Sequence, residues 1–377
     1  MKRDGSARRR GMALTRGTLA LGCFAAAFTG VFSFWLSQLG QAAPRRASSE
    51  TFKSRPAEPL EKRLRNVRQL TFEGQNAEAY FSDDGKMLIY QSTHGEHRCD
   101  QIFTMRTDGS DKRMVSTGKG KTTCSYFFPK SERCVYASTH AGSPDCPPTP
   151  ARGATYVWAV HGTFDIFSAK VDGTDLKRLT DTKGYDAEAT ISRDGKRIVF
   201  TSVRDGDLDI YVMNADGSDQ TRLTDALGYD GGAFFSPDGT KICYRASRPR
   251  GETEEKKYRE LLAQEFVEPS ALEIYVMNSD GTGIRQVTKN GAANFCPFFH
   301  PSGERLIFAS NQVDRRGRNF DLYLINLDGT GEERITTHGD FDGFPMFSPD
   351  GKQLVWAANR FGEKPRDTNI FIADWVE

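Results

Sequence analysis

Polar residues recur at one position of the chain's repeating phrases: Asn76, Thr123, Asp186, Asp230, Asn294 and Asp342, each six residues before the Ser, or its equivalent, of the turn that follows. Carboxylates and amides that converge on an axis can hold a divalent cation such as calcium, or the charged end of a peptide, through oxygen ligands. Glu78 and Glu188, two residues further along, extend the same ring. Asp and Asn also satisfy the backbone of tight turns, so their place in the fold decides between binding and bracing.

Cysteine and histidine offer a second chemistry. Cys99, Cys124 and Cys146 fall in loops expected on one face, and in an oxidising compartment Cys99 pairs with Cys124 or with Cys146. Cys134, Cys243 and Cys296 sit in strand-like runs and read as small core residues. His94, His97 and His140 lie near the loop cysteines, which are zinc or copper ligand types, but no metal-finger spacing joins them and the metal is left unassigned. There is no G-x-S-x-G turn for a nucleophile, so no residue is assigned as catalytic.

These side chains need elements to position them, and the elements are written as repeats. In GYDAEATISRDGKRIVFTSVRDGDLDIYVMNADGSDQTRLT, at Gly184 to Thr224, an Asp-Gly turn joins two alternating apolar runs and a second Asp-Gly turn joins two more. The second turn recurs at Asp108, Asp172, Asp216, Asp280 and Asp328, and the first at Asp84, Asp194, Asp238, Ser302 and Asp350. A degenerate copy, FFPKSERCVYAS at Phe127 to Ser138, fills the remaining place. Each copy predicts a four-stranded antiparallel blade with strands a to d. The fold class is therefore all-β, a six-bladed β-propeller. The last copy stops at strand c, whereas Val67 to Phe72 matches the d phrases KRLT, TRLT, RQVT and ERIT. An N-terminal strand should close the ring and remove two raw sheet edges.

The propeller is thus expected over 67–377, with 44–66 as a Pro- and charge-rich linker. Two insertions of about twenty residues fall between strands b and c of blades 2 and 4, on the same face. His140 to Phe164 is a Pro-stiffened loop leading to an aromatic stretch that covers the channel mouth. Within Arg248 to Leu272, Tyr258, Leu261, Leu262 and Phe266 fall on one face of a short helix ended by Pro269.

Residues 1–43 read as a signal peptide or signal anchor. Six basic residues against Asp4 precede an uncharged run from Gly17 to Leu39, long enough to cross a bilayer. Gly40-Gln41-Ala42 offers a cleavage pattern, and positive charge places the body in the periplasm or another extracytoplasmic space. If uncut, residues 17–39 hold the chain in the inner membrane. The body is mildly acidic, which speaks against nucleic acid, whose binders cluster Lys and Arg.

The FSPDGK-like, IYVMNADGS and RLT phrases resemble the WD40-like repeats of the TolB family, over most of the chain. The resemblance implies a cell-envelope role. The family carries an α/β domain ahead of its propeller that the 66 residues here cannot supply. Similar repeats occur in peptidase and lyase propellers, so the fold alone does not name an activity. Together these features predict a non-catalytic binding propeller that engages an envelope protein or peptide through its loop face and channel mouth. The alternative is a metal-dependent propeller hydrolase or lyase at the same mouth.

Overall fold

The computed structural model describes residues 51–148, 156–315 and 317–377. The signal segment expected at 1–43 lies outside them, and no described helix is long and apolar enough to cross a membrane.

Six antiparallel blades follow one another. Blade 1 contains Gln75–Phe81, Met87–Thr93, Gln101–Arg106 and Arg113–Met114, from the innermost strand outward. Blade 2 contains Thr122–Phe127, Arg133–Ser138, Asp165–Lys170 and Lys177–Arg178. Blade 3 contains Asp186–Ile191, Arg197–Ser202, Asp209–Asn214 and Thr221–Arg222. Blade 4 contains Asp230–Phe235, Lys241–Ala246, Glu273–Asn278 and Arg285–Gln286. Blade 5 contains Asn294–Phe299, Arg305–Ser310, Asp321–Asn326 and Glu333–Arg334.

Blade 6 closes the ring. Asp342–Phe347, Gln353–Ala358 and Asn369–Trp375 come from the C-terminus, and Leu64–Gln69 pairs with Asn369–Trp375 from the N-terminus. Lys53–Ser54 adds a strand outside Leu64–Gln69, so the pairing starts ahead of Val67.

The Thr of the RLT phrase explains why the d strand needs so few residues. Thr180, Thr224, Thr288 and Thr336 each accept a hydrogen bond from the backbone N–H of a third-strand residue, at 2.8–2.9 Å. Thr71 accepts from Ile370 N at 2.9 Å across the closure, and Ser116 from Ile102 N in blade 1. The turn carboxylates act locally: Asp216, for example, accepts from both N and Oγ of Ser218.

A buried arginine locks the closure. The Arg360 guanidinium spans Glu61, at 2.5 and 2.9 Å, and Asp342, at 2.7 and 2.9 Å, and all three residues are essentially inaccessible.

Both insertions leave their blades between the second and third strands, and they meet. Trp158–Ala159 from blade 2 pairs with Phe266–Val267 from blade 4, and Val160 N donates to Glu265 O at 2.8 Å. The helix α1 spans Gly251–Leu262 and buries Tyr258. It ends before Phe266, which was expected on its face. Glu265 turns left-handed (φ 62°), and Phe266 leaves to pair with Ala159 because the neighbouring insertion offers it a partner strand.

Replacing Arg360 with Met would leave two buried carboxylates unpaired. Arg360→Met should lower stability by about 3–5 kcal/mol, read as a fall in the urea midpoint.

Candidate functional site at the channel mouth

The polar column lies mostly behind the channel wall. Asp186, Asp230 and Asp342 each meet an arginine eighteen residues later: Arg204 at 3.0 Å, Arg248 at 2.5 Å and Arg360 at 2.7 Å. Burial pushes Asp230 up to about 6, against the pull of Arg248. Asn294 donates to Leu272 O at 2.9 Å and Asn76 to Thr368 O at 2.9 Å.

Pairing registers place Thr122, not Thr123, in the column, since Thr122 faces Ser138 as Asp186 faces Ser202. The strand-to-turn spacing of the degenerate blade 2 copy hides this offset of one residue. In blades 1 and 2, His94 and His140 stand where the arginines stand in blade 3, each with Nδ1 2.7 Å from a serine Oγ. Burial holds both histidines below their ordinary pKa, in keeping with neutral Asn and Thr partners in the column. The column and these histidines are braces between strand and loop.

The channel wall is made one step further along. Every innermost strand breaks register with its neighbour through a β-bulge. The bulged residues are Glu78, Cys124, Glu188, Gly232, Cys296 and Phe344, all at φ between 51° and 60°. A bulge re-aims its side chain, and here one position per blade joins a single ring around the axis. All six line a cavity of about 1960 Å³ that opens on the loop face. Asn76 joins them, whereas Asp186, Asp230, Asn294 and Asp342 do not.

Below the ring the channel is plugged. Tyr80 and Phe234, from blades 1 and 4, have ring centroids 5.5 Å apart, with Tyr126 5.7 Å from Tyr80 and Phe298 5.3 Å from Phe234. The mouth is therefore a blind cup. Trp158, carried by the paired insertions, forms part of its wall and lies edge-on to Tyr229 and Phe295.

Glu188 and Arg245 form a buried pair in this wall, 2.5 Å apart. Glu188 Oε1 also accepts from the Tyr229 hydroxyl at 2.6 Å, and Oε2 accepts from Thr201 at 2.8 Å and Gly232 N at 2.7 Å. Burial works to raise Glu188, but Arg245 and these donors outweigh it and hold the carboxylate below its usual range. A Cβ on Gly232 would fall 1.8 Å from Arg245 Nη1, and one on Gly231 would fall 2.4 Å from Glu188 Oε2. The Gly-Gly pair clears space for the ion pair.

Glu78 is different. Among the described residues it has neither an arginine partner nor a backbone N–H donor, and its thiol neighbour is Cys124. Burial pushes its carboxyl up to about 7; the Cys124 thiol and Arg245 oppose the shift, and Glu188 and Asp100 add to it. The Cys124 thiol is pushed well above its ordinary value by burial and by Glu78 and Glu188, so it is no thiolate nucleophile.

Cys99 and Cys146 form a disulfide, S–S 2.10 Å, tying the blade 1 loop to the blade 2 insertion, and Cys124 remains free. Among the described residues no group of three or more His, Cys, Asp or Glu converges to hold a metal ion. The column carboxylates expected to hold calcium are committed to arginines, and a divalent cation does not fit them.

Sequence reasoning missed Arg245, Tyr229, Gly232 and Trp158 as parts of one site. Arg245 did leave a signal. It is charged where the other repeats carry Gln91, Ala137, Thr201, Ala309 and Ala357 at the equivalent register.

Fold and mouth together define a six-bladed propeller closed at one end of its channel and open at the other. Residues 137–247 match the family model of the TolB beta propeller domain, and the chain as a whole resembles TolB-type propellers in its fold and repeats. The fold is similar to a TolB-type structure from Agrobacterium tumefaciens (19% identity, TM-score 0.53, 81% of this chain and 91% of that one). It is also similar to a gluconolactonase from Xanthomonas campestris (14%, 0.55, 86% and 94%) and to an oligogalacturonate lyase in complex with manganese (12%, 0.50, 87% and 96%). At these identities the likeness is one of fold.

Two outcomes check the electrostatics of the cup. The folded protein keeps a proton on Glu78 that the unfolded chain has lost between about pH 4.5 and 7, so this group lowers stability as pH rises through that window. Glu78→Gln should gain on wild type across the window, by about 1–3 kcal/mol at pH 8, in urea unfolding at several pH values. Gly232→Ala should push Arg245 off Glu188 and cost about 1–3 kcal/mol by the same assay.

Proposed function

We propose that this chain is a non-catalytic binding propeller of the cell envelope that takes up a protein or peptide segment at its loop face and channel mouth. The observation that carries this reading is the blind cup of about 1960 Å³, walled by aromatic side chains and rimmed by Arg315, Arg318, Lys364 and Arg366 on one side. Sites of this kind fix a chain by apolar burial and a few placed polar groups.

An extracytoplasmic location is part of the proposal. It is supported by the basic-then-apolar segment at residues 1–39 and by the disulfide, which persists in oxidising compartments. The TolB-type repeats favour the envelope. The metal-assisted alternative has no convergent ligand set among the described residues.

Selection of a phage-displayed heptapeptide library on the full chain tests the reading. Selected peptides should lose at least about tenfold in affinity against Trp158→Ala, a loss typical of a buried aromatic anchor. They should be unaffected by Asp216→Ala on the opposite, hairpin face. Selected peptides that ignore Trp158 and respond to Asp216 would place binding on the wrong face and overturn it.

A further inference from the structure

Every buried carboxylate of the recurring braces has its arginine: Asp165 with Arg178, Asp209 with Arg222 and Asp321 with Arg334, besides the column pairs. Glu188 in the channel wall has Arg245. Glu78 is aimed at the channel axis by its bulge and has no such partner among the described residues. With Glu188 and Arg245 cancelling, the floor of the cup carries the charge of Glu78 alone.

Arg245 is itself unfinished. Its Nη2 serves Glu188 and Tyr229, its Nη1 donates to no described residue, and its buried Nε has no partner. The residue is only 7% exposed, yet it lines the cavity. An unmet buried donor is costly, and an incoming acceptor oxygen would recover that cost. The guanidinium is also fixed in place, stacked over the rings of Tyr229 at 4.9 Å and Trp158 at 5.2 Å.

Glu78 belongs to blade 1 and Arg245 to blade 4, the blades whose Tyr80 and Phe234 touch in the plug just below. Glu78 and Arg245 line the same floor, near enough for the charge of one to act on the other. We propose that the floor of the cup receives an α-aminoacyl end, its ammonium at Glu78 and its adjoining carbonyl oxygen at Arg245.

Other chemistries fit less well. A lysine side chain would answer Glu78 but bring no acceptor to Arg245. An anion would meet two carboxylates, and a hard cation needs several oxygens where only one carboxyl is uncommitted. The aromatic wall of Tyr80, Tyr185, Tyr229 and Phe344 suits an ammonium and the first side chain behind it.

This inference rests on the mouth being a peptide site in one of its two sources, a peptide N-terminus; the other source is a free amino-acid derivative. The test uses the full chain and three probes: a pool of randomised heptapeptide amides with free N-termini, the same pool acetylated, and L-alaninamide. The free pool should be retained at least about tenfold better than the acetylated pool, and Glu78→Gln should remove that advantage.

Groups facing Glu78 are Cys124, Glu188, Arg245 and Asp100, and Glu188 is held below its usual range by Arg245 and its hydrogen-bond donors. Retention should therefore rise from pH 5 to about 7 as Glu78 ionises, and fall above about 8 as the amine loses its proton. Equal retention of both pools overturns the inference and leaves the peptide reading standing. Retention of neither pool removes the peptide reading. Saturable binding of L-alaninamide abolished by Glu78→Gln would then support the site for a free amino-acid derivative, and its absence would overturn the inference too.

Discussion

The β-bulge in each innermost strand is the constraint on which the mouth depends. Two residues on that strand oppose one on its neighbour, and the first of the two adopts a left-handed backbone. Five of the six are not glycine. Each such residue costs on the order of 1 kcal/mol, and the cost is sustained because pairing on both sides of the bulge over-determines the conformation. In return, one position per blade is turned from the sheet toward the axis, and in five of the six it carries a side chain.

Two sets of polar residues thus do different work although they are two residues apart. The column at the start of each innermost strand meets the loop after the second strand, as Asp with Arg in blades 3, 4 and 6. In blades 1 and 2 the same place is held by neutral Asn76 and Thr122 near His94 and His140. Charge is introduced on both sides of the brace or on neither. The bulge ring is free of that duty and varies from blade to blade, with carboxylates, thiols, a glycine and an aromatic ring.

Much of this architecture was legible in the amino-acid order. Asp-Gly turns need a positive φ and so announce themselves, and the Thr of RLT marks the d strand, which is how Val67 to Phe72 could be recognised as closing the ring. Glu78 and Glu188 were legible as candidates because they stand two residues beyond the polar column of their repeats. The bulges were not, since a bulge is a relation between two strands and leaves no residue type of its own when five of six positions avoid glycine. Arg245 and Gly232 were legible only as departures from the repeat, a charge among Gln, Ala and Thr and a glycine where the other copies carry a side chain. The meeting of Phe266 with Ala159 joins segments more than a hundred residues apart, and nothing local encodes it.

The paired insertions have a consequence for symmetry. Six similar backbones give a mouth with no preferred rotational setting, and only its side chains tell one blade from another. The two-stranded bridge from blade 2 to blade 4 passes the blade between them and occupies one side of the rim. That single pairing adds an asymmetry of shape to the one the ring's side chains carry, and so keys the socket.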